Sequence, residues 1–461
     1  MKNHISHILS LVACLSVLNS CLDIKLDNQF SDPNAIVTPE TARELLATAY
    51  NSIPRYQLEL SVLSDDFVPT RYALQYAELH NLYQWQDKAI DDLSSLVWND
   101  YYMTVAYLNS LLARLDGVKC EDGDDYAEVE KIRSEALTLK ALCYFDLLRL
   151  YAQPYSPSTE LSDGIILKNR LELDFLPRSS VKECVAEIDR LFVQASRTVI
   201  SNSPVYYLGT EAQNALRVQF ELYRGNYTKV IEYGLPLLGD LESRLTPDSF
   251  DALWSLDFSA ERIFAPTIFD PFYISLNYDR EKGDYFSLAP GLNYNEGDTR
   301  RGWSEYQSPM EGVKSLGKYN RMYYENSEVR YVNTLRYAGV CFDVAEAYAR
   351  TDAPEAAIGL MDRYLSARGL SAMDSSLQGE QLVEAILAEK HKEFVGEGVR
   401  YFDLKRTAKS IEKQDVAGKP LSAISGSDYR RLFPIPQSEY KYNPKITEAN
   451  QNPGWPYQKT E

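Results

Sequence analysis

Beyond residue 38 apolar side chains recur every three or four positions, the period of an α-helix with one buried face. Thr38, Pro39 and Glu40 predict the first start, supplying an N-cap, a first-turn proline and an acid at the positive helix end. Ala42, Leu45, Leu46, Ala49 and Tyr50 follow at helical spacing. Ile132, Ala136, Leu139, Cys143, Leu147 and Leu150 predict a helix over about 128–151. Ser180 with Glu183 predicts a capping box, and Thr210 with Gln213 predicts another. After Tyr223 the pattern breaks for one turn at Gly225 and resumes with Val230 and Ile231, a tight helical hairpin. Residues 331–350 and 353–369 predict a second pair, with Asp352 as cap, Pro354 near the new start and Gly369 past its end. Paired helices of irregular length predict a mainly α, tetratricopeptide-like scaffold.

The helical period is lost over about 242–329, where glycines at 283, 291, 297, 302, 312 and 317 and prolines at 266, 271, 290 and 309 accompany many aromatics. This segment predicts loops and short strands set into a single domain over 21–461. Helical scaffold is expected at about 38–241 and 330–406, and a C-terminal tail at 407–461.

The first residues set the compartment. Lys2, His4 and His7 precede an apolar run from Ile8 to Leu18, which is too short to span a bilayer at about 20 residues per crossing. Leu18, Ser20 and Cys21 fit a bacterial lipoprotein signal, so residues 1–20 are expected to be removed and Cys21 to carry lipid. The chain is expected to be held at a membrane through its acyl groups.

A net charge of −18 with no basic cluster argues against nucleic-acid binding. Cys120, Cys143, Cys184 and Cys341 show no metal-ligand spacing, and the last three lie in apolar helical patterns as expected of buried free thiols. His80 and His391 lie in no zinc-peptidase or serine-hydrolase motif, and His391 among charged residues suggests a surface or pairing side chain. No cofactor or metal is expected. Glu389, Glu393 and Glu397 share one helix face, and paired carboxylates can perform acid and base work on glycosides. Lys390, Lys392, Arg400 and Arg406 stand nearby, so pairing of Glu397 with Arg400 or a neighbouring helix is the favoured use and catalysis is not expected.

An ordered set of motifs resembles the SusD/RagB family of nutrient-binding outer-membrane lipoproteins. Cys21 through the Thr38-Pro39 helix to Tyr50 is similar to the family's opening, and Trp98, Tyr102 and Asn109 to its next helix. Arg133, Ala136, Ala141, Tyr144, Phe145, Leu147 and Tyr151 fit its long tetratricopeptide helix, with Lys140 where Arg is usual and Ala152 where Gly is usual. Asp298 with Arg300, and Lys318 with Tyr319, resemble two further elements. The stretch from Glu389 through Gly396, Gly398, Phe402 and Asp403 to Arg406 resembles the most recognisable one, followed by Phe433-Pro434-Ile435-Pro436, Asn443-Pro444 and Gln451 to Gly454. The resemblance implies a helical lid on a TonB-dependent outer-membrane transporter, a SusC-like barrel, that delivers an oligosaccharide or an oligopeptide. A tetratricopeptide adaptor of the envelope and a glycan-cleaving enzyme are the alternatives.

Tyrosine outnumbers phenylalanine by 34 to 16, which favours rings placed where their hydroxyls find partners. Tyr273, Tyr278, Tyr285, Tyr294, Trp303 and Tyr306 fall among glycines and polar residues, and Tyr83, Trp85 and Trp98 form a second cluster. Ligand contact is expected of Trp303, Tyr285, Tyr294, Tyr306, Trp85 and Tyr83, with Trp303 foremost because Arg301, Gly302, Ser304 and Glu305 surround it. Packing of loops onto helices is the alternative for each ring, and for Trp98, within a helical pattern, it is favoured.

Overall fold

The structure is a computed structural model that describes residues 36–170, 174–254, 258–267, 277–279, 281–319 and 331–456; for 277–279 the backbone alone is described. Cys21 and Tyr273, and the side chain of Tyr278, lie outside the described residues.

The 29-residue helix Gly123–Tyr151 is the axis of the scaffold. Asp122 caps it by accepting from the backbone N–H groups of Asp124 and Asp125, which satisfies donors that a helix start otherwise leaves open. Every side chain from Ser134 to Leu148 is buried, because helices Pro39–Asn51, Asp87–Leu112 and Val181–Ala195 pack around it. A helix enclosed this way must answer its own polar groups. Glu135 accepts from Arg43 at 2.8 Å and from the Tyr50 hydroxyl at 3.2 Å. Asp146 accepts from the hydroxyls of Tyr56 and Tyr101.

The expected hairpins form. Thr210–Tyr223 and Tyr227–Gly234 are joined through Gly225, whose φ of +69° is the left-handed conformation that closes such turns. Tyr337–Arg350 and Pro354–Ala367 make the second pair, and Gly379–Phe394 packs beside them. Both the Thr38-Pro39 start and the Ser180/Glu183 capping box are present. Two expectations need correction. Thr210 is not an N-cap, since Gly209 holds that position and the Thr210 hydroxyl accepts from Ile200 N–H instead. Its intended partner Gln213 is buried and donates to Thr138 at 3.0 Å, a partner from a distant helix. Asp352 adopts φ +58° within the turn, and Ala353 occupies the cap position.

Between the hairpins the chain makes two-stranded pieces. Arg262–Phe264 pairs with Leu335–Arg336, Tyr306–Gln307 with Lys314–Ser315, and Phe286–Leu288 with Phe67–Pro69 near the N-terminus. The tail returns to the scaffold. Phe433 N–H donates to Leu150 O, Asn452 donates to Tyr151 O and Phe433 O, and the buried Arg178 binds Asn450 O and Asn452 Oδ1. One hydrophobic core consequently runs from Ile36 to Trp455.

Candidate functional site

Charge buried under the irregular segment explains the acidic helix face. Glu393 and Glu261 are fully buried, and Arg336 reaches both, with Nη1 2.7 Å from Glu393 and 2.5 Å from Glu261. Arg368 bridges the same two carboxylates at 2.9 and 2.8 Å. Glu397 takes Arg336 at 2.8 Å and Lys318 at 2.6 Å, while Arg300 joins Asp298 at 2.8 Å and Glu389 at 2.6 Å. Burial would raise the Glu393 carboxyl, but Arg368, Arg336, Arg300 and Lys318 override it and hold it well below the usual carboxylate range. A carboxylate so neutralised is poorly placed to give or take a proton. Glu397 does not pair with Arg400, which instead forks onto Asp65 with two 2.8 Å bonds. The Asp298/Arg300 and Lys318 motifs thus fasten the irregular segment to the scaffold.

The strand pair 67–69/286–288 carries the more accessible features. At one end Thr70 N–H donates to Tyr285 O, and the 3-10 turn Arg71–Gln75 brings Tyr72 and Tyr76 alongside. The rings of Tyr76 and Tyr285 lie 5.2 Å apart between centroids, both half-buried, and Arg71 lies over the Tyr72 ring at 4.9 Å. Glu59 lies close enough to act on the Tyr76 hydroxyl; its Oε2 is buried with no hydrogen-bond partner, and burial pushes this carboxyl up to about 7.

At the other end, about 10 Å along at ~3.4 Å per residue, Ala289 N–H donates to Asp66 O above an open cleft of about 710 Å³. Asp65, Phe67, Leu292, His391, Arg400 and Lys413 help to line it. Asp65, Asp66 and His391 bring their ligand atoms within 4.8 Å of one another and are the one such group among the described residues. Arg400 already occupies Asp65, and Asp66 takes His391 Nε2 at 2.9 Å and Gly396 N–H at 3.0 Å, so protein groups answer these carboxylates. His391 is the pairing side chain the sequence suggested.

The expected binding aromatics divide sharply. Trp303 is buried at 8 % exposure and donates its indole N–H to Asp251 at 2.7 Å, which corrects its expected display on a surface. Its polar neighbours Arg301, Gly302 and Glu305 turn outward or half outward while the ring turns in. Tyr294 is likewise buried, its hydroxyl on Lys392 O at 2.7 Å. Trp85 donates to Leu63 O and stacks near Tyr401, and Tyr83 packs against Phe286, both without exposure. Trp98 packs inside its helix bundle and donates to Glu439 at 3.0 Å. Tyr285 and Tyr306 alone of the six remain half-exposed. Tyr72, Tyr76 and Glu59 went unnoticed in the sequence. An Arg-Tyr-x-x-x-Tyr run just past a short strand was the available signal.

The sequence model of the SusD family matches residues 260–455, and a second model, described as starch-binding associating with outer membrane, matches residues 21–215. A SusD-like protein of Formosa agariphila is 21 % identical over 94 % of this chain and 96 % of its own. Among solved structures, a SusD superfamily protein of Bacteroides thetaiotaomicron superposes with a TM-score of 0.75 at 22 % identity, over 90 % of this chain and 100 % of the other. The surface glycan-binding protein A of Bacteroides uniformis gives 0.72 at 18 % identity, over 90 % and 99 %. A SusD-like carbohydrate binding protein of Bacteroides vulgatus gives 0.73 at 18 % identity, over 90 % and 98 %.

Proposed function

The chain belongs to the SusD family, and from that premise we propose that it is a cell-surface lipoprotein that captures an oligosaccharide and delivers it to a TonB-dependent outer-membrane transporter. The observation that carries this reading is the paired Tyr76 and Tyr285 rings, held half-exposed at the end of a strand pair whose two strands come from distant parts of the chain. Flat rings of this kind suit the apolar face of a sugar, and Tyr hydroxyls supply polar edges. Relatives described as glycan- or carbohydrate-binding support the choice of ligand. Retention at the membrane rests on lipid at Cys21, so Cys21→Ala should release the protein. Binding without turnover fits the neutralised Glu393, whose partners leave no free acid or base there.

The test is a glycan array followed by calorimetry on the glycan it identifies. Tyr285→Ala and Tyr76→Ala should each weaken binding by about 1 to 3 kcal/mol while the melting temperature holds. Unchanged affinity in both variants removes the platform. Glycan cleavage that disappears with Glu393→Gln would overturn the assignment as a binding protein.

A further inference from the structure

On the far side of the long axial helix an acidic chain presents a basic cleft. The sequence holds 66 Asp and Glu against 48 Lys and Arg. Yet a cleft of about 650 Å³ between helices Asp87–Leu112, Gly123–Tyr151 and Val181–Ala195 is lined by Arg133, Lys140, Arg170, Arg190 and Arg197 against two carboxylates, Asp116 and Glu130. Both carboxylates are taken by one cation, Arg133, at 2.7 and 3.1 Å. Arg190 pairs with Glu187 and Gln194. Arg170 and Arg197 are exposed, and neither side chain has an acidic partner among the described residues.

Lys140 at the floor is the informative group. It is 3 % exposed, and its ammonium donates to two neutral oxygens, Asn109 Oδ1 at 2.6 Å and Asn169 Oδ1 at 2.9 Å, and to no carboxylate among the described residues. An ammonium has three donors; the two amide oxygens take two, and the Tyr144 ring centroid lies 5.5 Å from the nitrogen. A buried cation without a counter-ion is costly, and the molecule tolerates it only where something repays the cost. Burial pulls Lys140 down to about 8, with Arg190 adding to the fall and Glu187 opposing it.

We propose that this cleft is a binding site for a tetrahedral oxyanion, carried as a phosphate or sulfate ester on a small sugar-sized molecule. Lys140 takes one oxygen as a point charge, and Arg170 and Arg197 supply forked donors at the rim, with Arg190 held beside them by Glu187 and Gln194. The volume suits a ligand of monosaccharide size, within the roughly 300–1,000 Å³ of small-molecule pockets. The site stands apart from the Tyr76 and Tyr285 platform and does not depend on it.

The probes are inorganic phosphate, glucose 6-phosphate and glucose, titrated calorimetrically into the full mature chain at low ionic strength. Both anions should bind saturably and glucose should not. Arg170→Ser, an exposed change that leaves the fold intact, should weaken glucose 6-phosphate binding at least about tenfold. Lys140→Met should abolish it. A bound anion raises the Lys140 pKa, so affinity should fall as pH climbs through 8, with Glu187, Arg190, Asn109, Asn169, Cys143 and Tyr144 as the groups that surround the ammonium. Sedimentation with phosphatidylglycerol vesicles that is lost in Arg170→Ser would place the oxyanion on a lipid headgroup at this same site. No heat from either anion, or equal affinity in wild type and Arg170→Ser, overturns the proposal.

Discussion

Arg336 sets its Nη1 2.7 Å from Glu393 Oε1, with both side chains sealed from solvent. Arg336 opens the helix Tyr337–Arg350 and Glu393 nearly closes Gly379–Phe394, so this bond locks the second hairpin to its neighbour. Glu393 also receives Arg368 and the Tyr364 hydroxyl. Glu393→Gln keeps the shape and removes the charge, leaving arginines without their anion. Stability to urea should fall by about 3 to 5 kcal/mol, the usual result of breaking one side of a buried pair. A loss below about 1 kcal/mol would mean the arginines are held by their other partners.

Acid should reach a second web first. Burial would raise the Asp403 carboxyl, but Lys390 at 3.3 Å and Arg406 at 2.8 Å hold it at about 2. A depressed carboxylate stabilises the fold above its unfolded value of ~3.9, and that contribution drains away as pH falls toward 2. Unfolding free energies measured between pH 5 and 2 should therefore drop, and Asp403→Asn should show a shallower drop from a lower start. Identical slopes in the two proteins would remove Asp403 from the account.

Lys413 should give the same sign of slope in a higher pH window. Its ammonium is buried against Val62 O at 2.8 Å and Ser64 O, and burial brings it down to about 7 despite Asp65 and Asp66. The unfolded lysine holds its proton to ~10.4, so between 7 and 10 the unfolded chain binds more protons. Stability attributable to Lys413 then rises with pH, by up to about 1.4 kcal/mol per unit. Lys413→Met should lack that rise. Stability curves that remain parallel from pH 7 to 9 would refute it.

Local motifs were legible because their partners lie within a turn. The Thr38 and Ser180 starts and the Gly225 turn need nothing from afar. Cys143, Cys184 and Cys341 were readable as buried free thiols from helical periodicity alone. Thr210 and Gln213 carry the same capping letters as Ser180 and Glu183, but Thr138, 75 residues away, claims Gln213. Glu389, Glu393 and Glu397 could be placed on one face, whereas arginines at 300, 336 and 368 that neutralise them come from three separate segments. The aromatic platform was half visible: Tyr285 was named, and Tyr76 meets it only through the pairing of strands some 220 residues apart.

Trp303 shows where reasoning from neighbours fails. In a one-turn helix, Arg301–Ser304, polar residues beside a tryptophan say which face is outside and nothing about the ring, which points the other way. Gly317 tightens the packing, since a Cβ there would stand 2.5 Å from Trp303 O and only a bare backbone can pass so close. Trp303→Ala should therefore cost about 3 to 5 kcal/mol of stability, as expected of a buried aromatic. Trp303→Phe keeps much of the volume and loses only the indole N–H bond to Asp251, an exposed carboxylate that water can answer, and should cost about 0.5 to 1.5 kcal/mol. Tyr285→Ala, by contrast, should leave the melting temperature nearly unchanged and weaken glycan binding. Calorimetric melting of the three variants decides the matter: a Trp303→Ala protein that melts with wild type would return this ring to the ligand-facing surface.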